Sequence, residues 1–242
     1  MINCAESNQS ATISYLSQNP LAHMDMLTPI NRGTADIIFA AETGVCLLDT
    51  KSQVYMLSVE NREIGENLIK MLPEGALVTF HQEYMAEYFK ATAKHKTFLV
   101  NHQAVYFGKE LLPTSDAIAL KPLDESYLGI ITDNYDVDVG ADYLRRVVSE
   151  GNLFGGFAEV GCAGAELVGF VGIHEEGSIG FLKIFGKYAR SGYGTALVAH
   201  ITNYQLTRGN VPFAQISVGN EVSLGVFRKL GYEVSAERVY WV

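Results

Sequence analysis

The chain has 242 residues, of which 48% are hydrophobic and 19% are charged, and its formal net charge is −9. This length predicts two domains of roughly 110–130 residues each, and the composition is typical of a well-packed globular protein. The acidic balance, with no cluster of Lys and Arg, excludes the usual nucleic-acid-binding surface, and the sequence has no apolar run of the roughly 18–20 residues that cross a membrane.

The cysteines and the N-terminal stretch indicate a compartment. Cys4, Cys46 and Cys162 match no zinc-binding spacing, and their odd number fits a reducing environment better than a disulfide framework. The first residues, MINCAESNQSATISYL, lack the basic end and apolar core of a signal peptide. We therefore expect a cytoplasmic protein that needs no metal, and we assign Cys162 no role.

The N-terminal half predicts helix, three strands, helix, strand, helix and one or two final strands. The first helix is expected to break near Pro20, and the three strands have short joins. In chain order the segments are the helix 11–27, the strands 35–41, 44–49 and 53–59, the helix 62–72, the strand 76–80, the helix 82–92 and the strand region 97–109.

The C-terminal half predicts a similar order. Short Gly-containing joins between its three central strands indicate an antiparallel meander. We interpret the repeated order as two copies of one fold, joined near 108–116. In chain order the segments are the strand 117–123, the helices 125–135 and 140–151, the strands 153–160, 166–175 and 178–185, the helix 193–208, the strand 213–218, the helix 221–230 and one or two strands in 232–242.

The stretch FGKYARSGYGTALVAHI, residues 185–201, joins a predicted strand to a predicted helix. Gly192 and Gly194 let the backbone approach an anion closely, and the helix N-terminus directs unpaired N–H groups toward it. Lys187 and Arg190 add positive charge, which suits a pyrophosphate. From the two glycines alone, a plain strand-to-helix turn explains the stretch equally well.

Two familiar phosphate loops do not fit this stretch. The Walker A pattern is absent from the sequence. The dinucleotide-binding fingerprint needs a third glycine, a parallel strand context and an acidic residue after the next strand, which here ends ISVGN. We therefore do not expect a dinucleotide site.

The pairing of KYARSGYGTALV with NEVSLGVFRKLGYE about thirty residues later resembles the GNAT superfamily of acyl-CoA-dependent N-acyltransferases. The longer pattern from GSIGFLKIFGKYARSGYG to VYWV is similar to its glycine N-acyltransferase-like branch. The resemblance covers about 117–242, and together with the repeated order of elements it predicts an α/β (α+β) fold of two tandem GNAT-like domains. Each has a mixed, largely antiparallel central sheet flanked by helices. By this interpretation, residues 117–242 would be the acyl-CoA-binding catalytic domain and residues 1–112 a degenerate domain without the cofactor loop.

The resemblance also implies where acyl-CoA would bind. A strand edge would hold the pantetheine arm, the loop and helix start would hold the pyrophosphate, and the second helix would contact the pantetheine and wall the thiol end. The loop departs from the family at Ala189, where Gln or Arg is usual, and at Gly186, where Pro is frequent. The implied residues are Leu182, Lys183 and Ile184 on the strand, Ala189, Arg190, Ser191, Gly192, Tyr193, Gly194 and Thr195 in the loop, and Asn220, Ser223 and Phe227 after the next strand.

Acyl transfer to an amine needs a base for the ammonium proton and donors for the oxyanion. Glu175 and Glu176 end the strand next to the cofactor strand and point to opposite faces, so one is expected to face the cleft. The alternative is a solvated hairpin turn. Glu159 is the second choice for the base, and His174 is a further candidate that also fits a structural role. Two aromatic residues of the last strand either line the acceptor pocket or belong to the core: Tyr240 and Trp241.

Several relatives carry a tyrosine that protonates the leaving thiolate, and the matching residue here is Phe227, so another group or water would be the acid. In the N-terminal copy, acidic residues follow the third strand, and acids there would repel a pyrophosphate. We interpret that copy as one without cofactor, and we expect structural roles for its histidines. These residues are Glu60, Glu63 and Glu66, and His81 and His102.

The sequence thus predicts an N-acyltransferase with acetyl-CoA as the expected donor and a primary amine of a small molecule or peptide as the acceptor. The amine would attack the thioester directly in a ternary complex. A non-catalytic acyl-CoA-binding sensor or regulatory protein is the alternative, favoured by Phe227 and Ala189. A transferase that uses charged tRNA is disfavoured by the acidic balance. No nucleic acid or membrane partner is expected, and the oligomeric state is left open.

Overall fold

The computed structural model describes residues 4–92, 98–135, 137, 139–159 and 164–242, without the side chains of 4–7. The chain forms two compact units. Unit 1 comprises Met1–Ala104, Gln215–Gly219 and Val234–Val242, and unit 2 comprises Val105–Ala214 and Asn220–Glu233. The last strand of the chain therefore belongs to unit 1. Both units consist of segments that are not contiguous in the sequence, whereas the predicted domains are contiguous. The domain boundary predicted between 112 and 117 stays a prediction.

The N-terminal half follows the predicted order of elements, and its first helix is interrupted near Pro20 as expected. The described part of the predicted strand region, residues 98–109, contains one strand. The elements are α1 (Cys4–Leu16), α2 (Met24–Arg32), β1 (Ala35–Ala41), β2 (Gly44–Asp49), β3 (Val54–Val59), α3 (Arg62–Met71), β4 (Leu77–Phe80), α4 (Glu83–Thr92) and β5 (Leu99–Val105).

The C-terminal half also follows the prediction, and it ends in one strand. A 3₁₀ turn, Glu125–Tyr127, precedes its first helix, and a second, Gly186–Tyr188, follows its fourth strand. The remaining elements are β6 (Ala119–Pro122), α5 (Leu128–Asn134), α6 (Ala141–Ser149), β7 (Leu153–Glu159), β8 (Ala165–Ile173), β9 (Ile179–Ile184), α7 (Tyr193–Thr207), β10 (Phe213–Ser217), α8 (Glu221–Lys229) and β11 (Glu233–Trp241).

In unit 1 the strand order is β1-β2-β3-β4-β11-β5. Strands β1, β2 and β3 form an antiparallel meander, whereas α3 carries the chain from β3 to β4, which therefore run parallel. The C-terminal strand β11 runs antiparallel to β4, with Tyr240 opposite Phe80. Phe80, Met85 and Phe89 form the centre of a core beneath these strands.

In unit 2 the order is β10-β9-β8-β7-β6. The predicted antiparallel meander is confirmed, because β8 pairs with both β7 and β9, and β7 also pairs with β6. Helix α7 carries the chain from β9 to β10, and these two strands run parallel. A core that includes Leu144, Phe170 and Phe181 packs on the α5 and α6 side of the sheet.

The predicted fold class, a mixed and largely antiparallel sheet flanked by helices, is confirmed in both units. It follows from local sequence: short joins make the hairpins, and one helix, α3 in unit 1 and α7 in unit 2, connects the strands of each parallel pair. Within the ranges described above, none of the helices combines the length and apolar character that crossing a bilayer requires.

Candidate functional site

The helix α7 starts without a side-chain cap. Its N-cap residue is Gly192, which has a left-handed backbone (φ 81°), and no side chain of the described residues hydrogen-bonds to the first turn. A Cβ at Gly192 would meet no atom within 4 Å, so the backbone conformation rather than lack of space favours glycine. The N–H groups of the first turn are therefore available to an anion, which the partial positive charge of a helix N-terminus also favours.

The loop before α7 contains a second left-handed residue. Arg190 has φ 63°, an uncommon conformation for a residue with a side chain. Its side chain is exposed and has no ion-pair partner among the described residues. Gly194, in the first helical turn, lies so close to the end of β9 that a Cβ would be 3.7 Å from Cγ1 of Ile184. The loop therefore places a free guanidinium and a helix N-terminus beside the end of β9.

Lys187, the other predicted cation, is already engaged. Its Nζ donates to Oε2 of Glu166 at 2.9 Å and lies 4.5 Å from the ring centre of Tyr188. The Tyr188 hydroxyl donates to the same carboxylate oxygen. These two hydrogen bonds, that of Tyr188 first, hold the pKa of Glu166 below its ordinary value. The positive charge that this loop offers to a ligand therefore comes from Arg190.

Strand β9 has an edge that is not used by the sheet. It pairs with β10 at one position, where Ala214 lies opposite Ile179, and in the described part of the chain no further pair follows on that side. The next residues of β9 pair with β8 on the other side. Leu182, Lys183 and Ile184 are half-buried along this stretch. An extended ligand with amide groups can hydrogen-bond to such an edge as an added strand does.

A bulge interrupts β9 in the middle of this edge. The register with β8 shifts between Phe170 and Gly172, and Phe181 has a left-handed φ of 54°. The Phe181 side chain is fully buried in the core of unit 2. A bulge re-aims the backbone groups beside it, and a strained non-glycine residue persists only where its surroundings hold it.

Helix α8 follows β10 and begins at Asn220. The Asn220 side chain caps the helix, since its Oδ1 accepts from the backbone N–H of Ser223 at 3.1 Å. Phe227 is buried, and its ring lies edge to face with Tyr232, 4.9 Å between centres. The Tyr232 hydroxyl shares a hydrogen bond with Thr202. Phe227 thus packs in the core of unit 2, and its contact with a ligand stays a prediction.

The turn between β8 and β9 contains the two acids chosen as candidate bases. Both are buried, with Glu175 6% and Glu176 5% exposed, so the turn is not the solvated hairpin that was the alternative. Arg146 donates from Nε to Oε1 of Glu175 at 2.9 Å, and the Ser178 hydroxyl donates to Glu176. Glu175 is therefore neutralised by a guanidinium, whereas Glu176 is held by a hydroxyl.

His174 lies in the same turn and contacts a residue that the sequence did not single out. Its Nδ1 is 2.8 Å from the hydroxyl of Tyr143 on α6, and its ring stacks on Phe181 at 4.3 Å. Burial lowers the pKa of His174 although Glu176 and Glu175 act in the opposite direction. The one available signal for Tyr143 was a hydroxyl on the buried face of an amphipathic helix, where it needs a partner.

The other predicted residues lie elsewhere. Glu159 is exposed at the end of β7, paired with Ala165 at the start of β8, whereas His174 follows the end of β8. These ends are about 30 Å apart along a nine-residue strand. In unit 1, Tyr240 stacks on Phe80 at 5.3 Å, and Trp241 donates from Nε1 to a glutamine side chain at 2.6 Å. Cys162 lies outside the described residues.

The matching end of β3 in unit 1 is closed by a side chain. Gln82, just before α4, accepts from the backbone N–H of Val59 at 2.8 Å and donates to Oγ of Ser58 at 3.0 Å. His23 also contacts this hydroxyl, with Nε2 at 3.0 Å. Nearby, Oδ2 of the fully buried Asp25 lies 3.2 Å from Nε2 of His81, which is also buried. Unit 1 therefore has a network of buried polar side chains where unit 2 has an open strand edge.

The family comparison matches the part of the chain that carries this site. Residues 160–242, less than half of the chain, match the model described as FR47-like protein. No curated protein matches the sequence. Neither result identifies the glycine N-acyltransferase-like branch, which stays a prediction.

Solved structures extend the likeness to both halves. A Drosophila protein shares 15% identity at a TM-score of 0.64, covering 98% of this chain and 87% of that one. A GCN5-related N-acetyltransferase-like protein from Streptococcus suis shares 13% identity at 0.52, covering 96% and 100%. A GCN5-related N-acetyltransferase from Kribbella flavida shares 14% at 0.54, covering 91% and 94%. With the family match, these likenesses support the GNAT superfamily, and at such low identity what they show is the fold.

Proposed function

We propose that the protein is an acyl-CoA-dependent N-acyltransferase whose site lies in unit 2. The observation that carries this proposal is the combination on β9 of an unpaired edge with an uncapped helix start at its end. An acyl-CoA has a pyrophosphate and an extended arm with amide groups. One linear ligand therefore complements both features, whereas a plain strand-to-helix turn needs neither.

Each part of the ligand has a suitable partner. The pyrophosphate fits the first-turn N–H groups from Gly192 to Thr195 and the free guanidinium of Arg190. The pantetheine amides fit the backbone of β9 between Leu182 and Ile184. The side chain of Asn220 is exposed at the start of α8 and suits the same arm.

The chemistry is direct attack of an amine on the thioester. The ammonium form must first lose a proton to a base. We favour Glu176 over Glu175, because Arg146 neutralises Glu175. Glu159 lies opposite the start of β8, on the side of the sheet where β9 ends and leads into the phosphate loop, and this position does not favour it as the base. Turnover of an E176Q variant is expected to fall about 100-fold, and of E175Q much less; equal losses would contradict this assignment.

The donor and the acceptor are proposed at the level of class. Acetyl-CoA is the expected donor, and the acceptor is a primary amine of a small molecule or peptide. We keep the cytoplasm as the compartment because the cysteine pattern fits no disulfide framework. We also keep the proposal that the N-terminal copy binds no cofactor.

Calorimetric titration with acetyl-CoA and with CoA tests the proposal. Gly192→Glu places a carboxylate at the anion position, and Gly209→Glu is the matched control. Gly209 also has a left-handed φ, 76°, and open space around it, but it follows the other end of α7. We expect at least a 100-fold loss of affinity in G192E and little change in G209E.

The outcomes separate the candidate functions. No binding by the wild type would remove the acyltransferase proposal. Binding that is lost equally in both variants would point to a general effect on folding. Tight binding without turnover over a broad panel of amines would favour the sensor or regulatory protein instead.

A further inference from the structure

Three aromatic side chains form a stack on the α6 side of β9. The Tyr143 ring lies 6.0 Å from that of His174, and His174 lies 4.3 Å from Phe181, centre to centre. The edge of the imidazole covers Gly180, where a Cβ would be 2.2 Å from Nε2. Only a glycine at this position leaves room for the ring, so Nε2 lies directly beside the backbone of β9.

The hydrogen bonds of Tyr143 decide which imidazole nitrogen carries the proton. The backbone N–H of Glu175 donates to the Tyr143 hydroxyl oxygen at 3.4 Å, and this contact uses an acceptor position only. The hydroxyl proton therefore needs an acceptor of its own. Nδ1 of His174, at 2.8 Å, is the one that these contacts provide. A neutral imidazole that accepts at Nδ1 holds its proton on Nε2.

The place along β9 where the thioester would lie rests on the proposed function. A pantetheine arm that starts at the loop and runs back from Ile184 reaches Gly180 after four residues, about 13 Å along the strand. An extended arm spans such a distance. The thioester is then expected beside Gly180 and Phe181, where the bulge lies and where Nε2 is found.

We propose that His174 donates a hydrogen bond from Nε2–H to the carbonyl oxygen of the bound acyl thioester, and that Tyr143 is a positioning residue that fixes the required tautomer. This role differs from that of a base, since the same nitrogen cannot carry the proton and accept one. His174 acts on the carbonyl oxygen and does not replace the tyrosine that protonates the leaving thiolate in several relatives, whose position Phe227 occupies here.

In the proposed role His174 neither gains nor loses a proton during the reaction. When the amine attacks, the carbonyl π electrons move to oxygen, and the hydrogen bond from Nε2–H stabilises that charge. When the oxyanion collapses, the C–S bond breaks and the electron pair leaves with the thiolate. The ammonium proton goes to the carboxylate base. A neutral imidazole is the required form, and the burial that lowers the His174 pKa keeps it neutral.

Infrared difference spectroscopy with [1-¹³C]acetyl-CoA tests the contact without knowledge of the acceptor. A donor on the carbonyl oxygen lowers the C=O stretching frequency relative to free acetyl-CoA. We expect this shift in the wild type and in H174Q, whose amide N–H reaches the Nε2 position, but not in H174N, whose amide reaches only the Nδ1 position. Y143F is expected to weaken the shift, and Y188F, the matched control at the other end of β9, to leave it unchanged.

Two further measurements keep the test decisive. Calorimetry on the same samples reports acetyl-CoA binding. If the wild type does not bind, the proposed function fails. If it binds and the C=O stretching frequency is the same in wild type and H174N, this inference fails. Nitrogen NMR of the wild type reports the His174 tautomer, and a proton on Nδ1 would overturn the proposal even if the variants did not fold. With any amine that proves to be an acceptor, H174N is expected to lose about 100-fold in kcat at similar KM.

Discussion

Both units contain a strand that leads through a helix to a parallel neighbour, but the two parallel pairs differ in length. In unit 1, β3 pairs with β4 at four positions, from Val54 to Leu57. In unit 2, among the residues that the structure describes, β9 pairs with β10 only where Ile179 lies opposite Ala214. The same order of elements thus closes one strand edge and leaves another open. The capacity of this fold to bind an extended ligand depends on how soon the parallel strands stop pairing.

The residue before the next helix differs in a related way. Gln82 precedes α4, and its amide turns back to the backbone N–H of Val59. Asn220 precedes α8, and its shorter side chain caps that helix instead. The longer amide of Gln82 occupies a backbone N–H group at the end of β3, the neighbouring strand, as a pantetheine amide is proposed to do on β9 in unit 2.

The two connecting helices differ at their first turns. Helix α3 is capped by Asn61, whose Oδ1 accepts from the backbone N–H of Ile64 at 3.1 Å, and Glu63 adds negative charge there. Helix α7 has neither a cap nor an acid in its first turn. In unit 1 the first-turn backbone N–H groups of the connecting helix therefore have a side-chain acceptor, whereas in unit 2 they are available to an anion.

Asp25→Asn tests whether the polar network of unit 1 is structural. The carboxylate is fully buried beside His81, and its removal leaves buried partners uncompensated. We expect a loss of about 3 kcal/mol or more in the free energy of unfolding, measured in urea, with unchanged acetyl-CoA affinity of the folded protein. Asp36→Asn, on the exposed face of β1, is the control. Reduced affinity with unchanged stability would contradict the structural role.

Gln82→Ala opens the strand edge that the network closes. The N–H of Val59 and the hydroxyl of Ser58 lose a partner, and we expect a cost of about 1–3 kcal/mol. Gln18→Ala, at an exposed position, should cost little. Calorimetry should still find one acetyl-CoA per chain, because α3 remains capped. A second site in Q82A would show that Gln82 alone excludes the ligand.

Each unit contains a buried histidine whose titration should make the stability of the protein depend on pH. Burial lowers the pKa of His23 in unit 1, where His81 adds to the effect, and burial lowers that of His174 in unit 2. Below about pH 6.5 the unfolded chain therefore binds more protons than the native one, so stability should fall as the pH decreases from 7 to 5. Asp25, whose pKa is also lowered, stays ionised in this range.

Replacement of either histidine by Asn should reduce the slope of unfolding free energy against pH. Unfolding curves at pH 5, 6 and 7 measure it. The titration of His23 depends on several neighbouring groups. The change of slope in H23N therefore reports the combined effect of His23 and these neighbours, which are Tyr15, Ser58, His81, Asp25 and Glu237. A wild type whose stability rises on acidification would contradict the buried, neutral state of both rings.

The order of elements could be predicted because it is encoded locally. Short joins mark the hairpins, and the spacing of apolar residues marks α6. The loop at Gly192 and Gly194 was visible for the same reason, since a left-handed turn before a helix favours glycine. These features require only residues close in the sequence.

The rest depends on contacts between distant residues. The sequence could not show that Arg146 neutralises Glu175, that Tyr143 reaches His174, or that Gln82 turns back onto β3. The expectation of a solvated turn as one alternative at Glu175 and Glu176 failed for this reason, because burial is decided by α6, which packs against the turn from thirty residues earlier.

The place of β11 in unit 1 has a consequence for synthesis on the ribosome. The backbone of Val242 exchanges two hydrogen bonds with Val78, so β4, which pairs with β3 on one side, lacks this second neighbour until Val242 has been synthesised. At 5–20 residues per second, translation of the intervening sequence lasts on the order of ten seconds. Throughout that interval the nascent first unit exposes one edge of β4, and an uncovered strand edge can pair with another polypeptide.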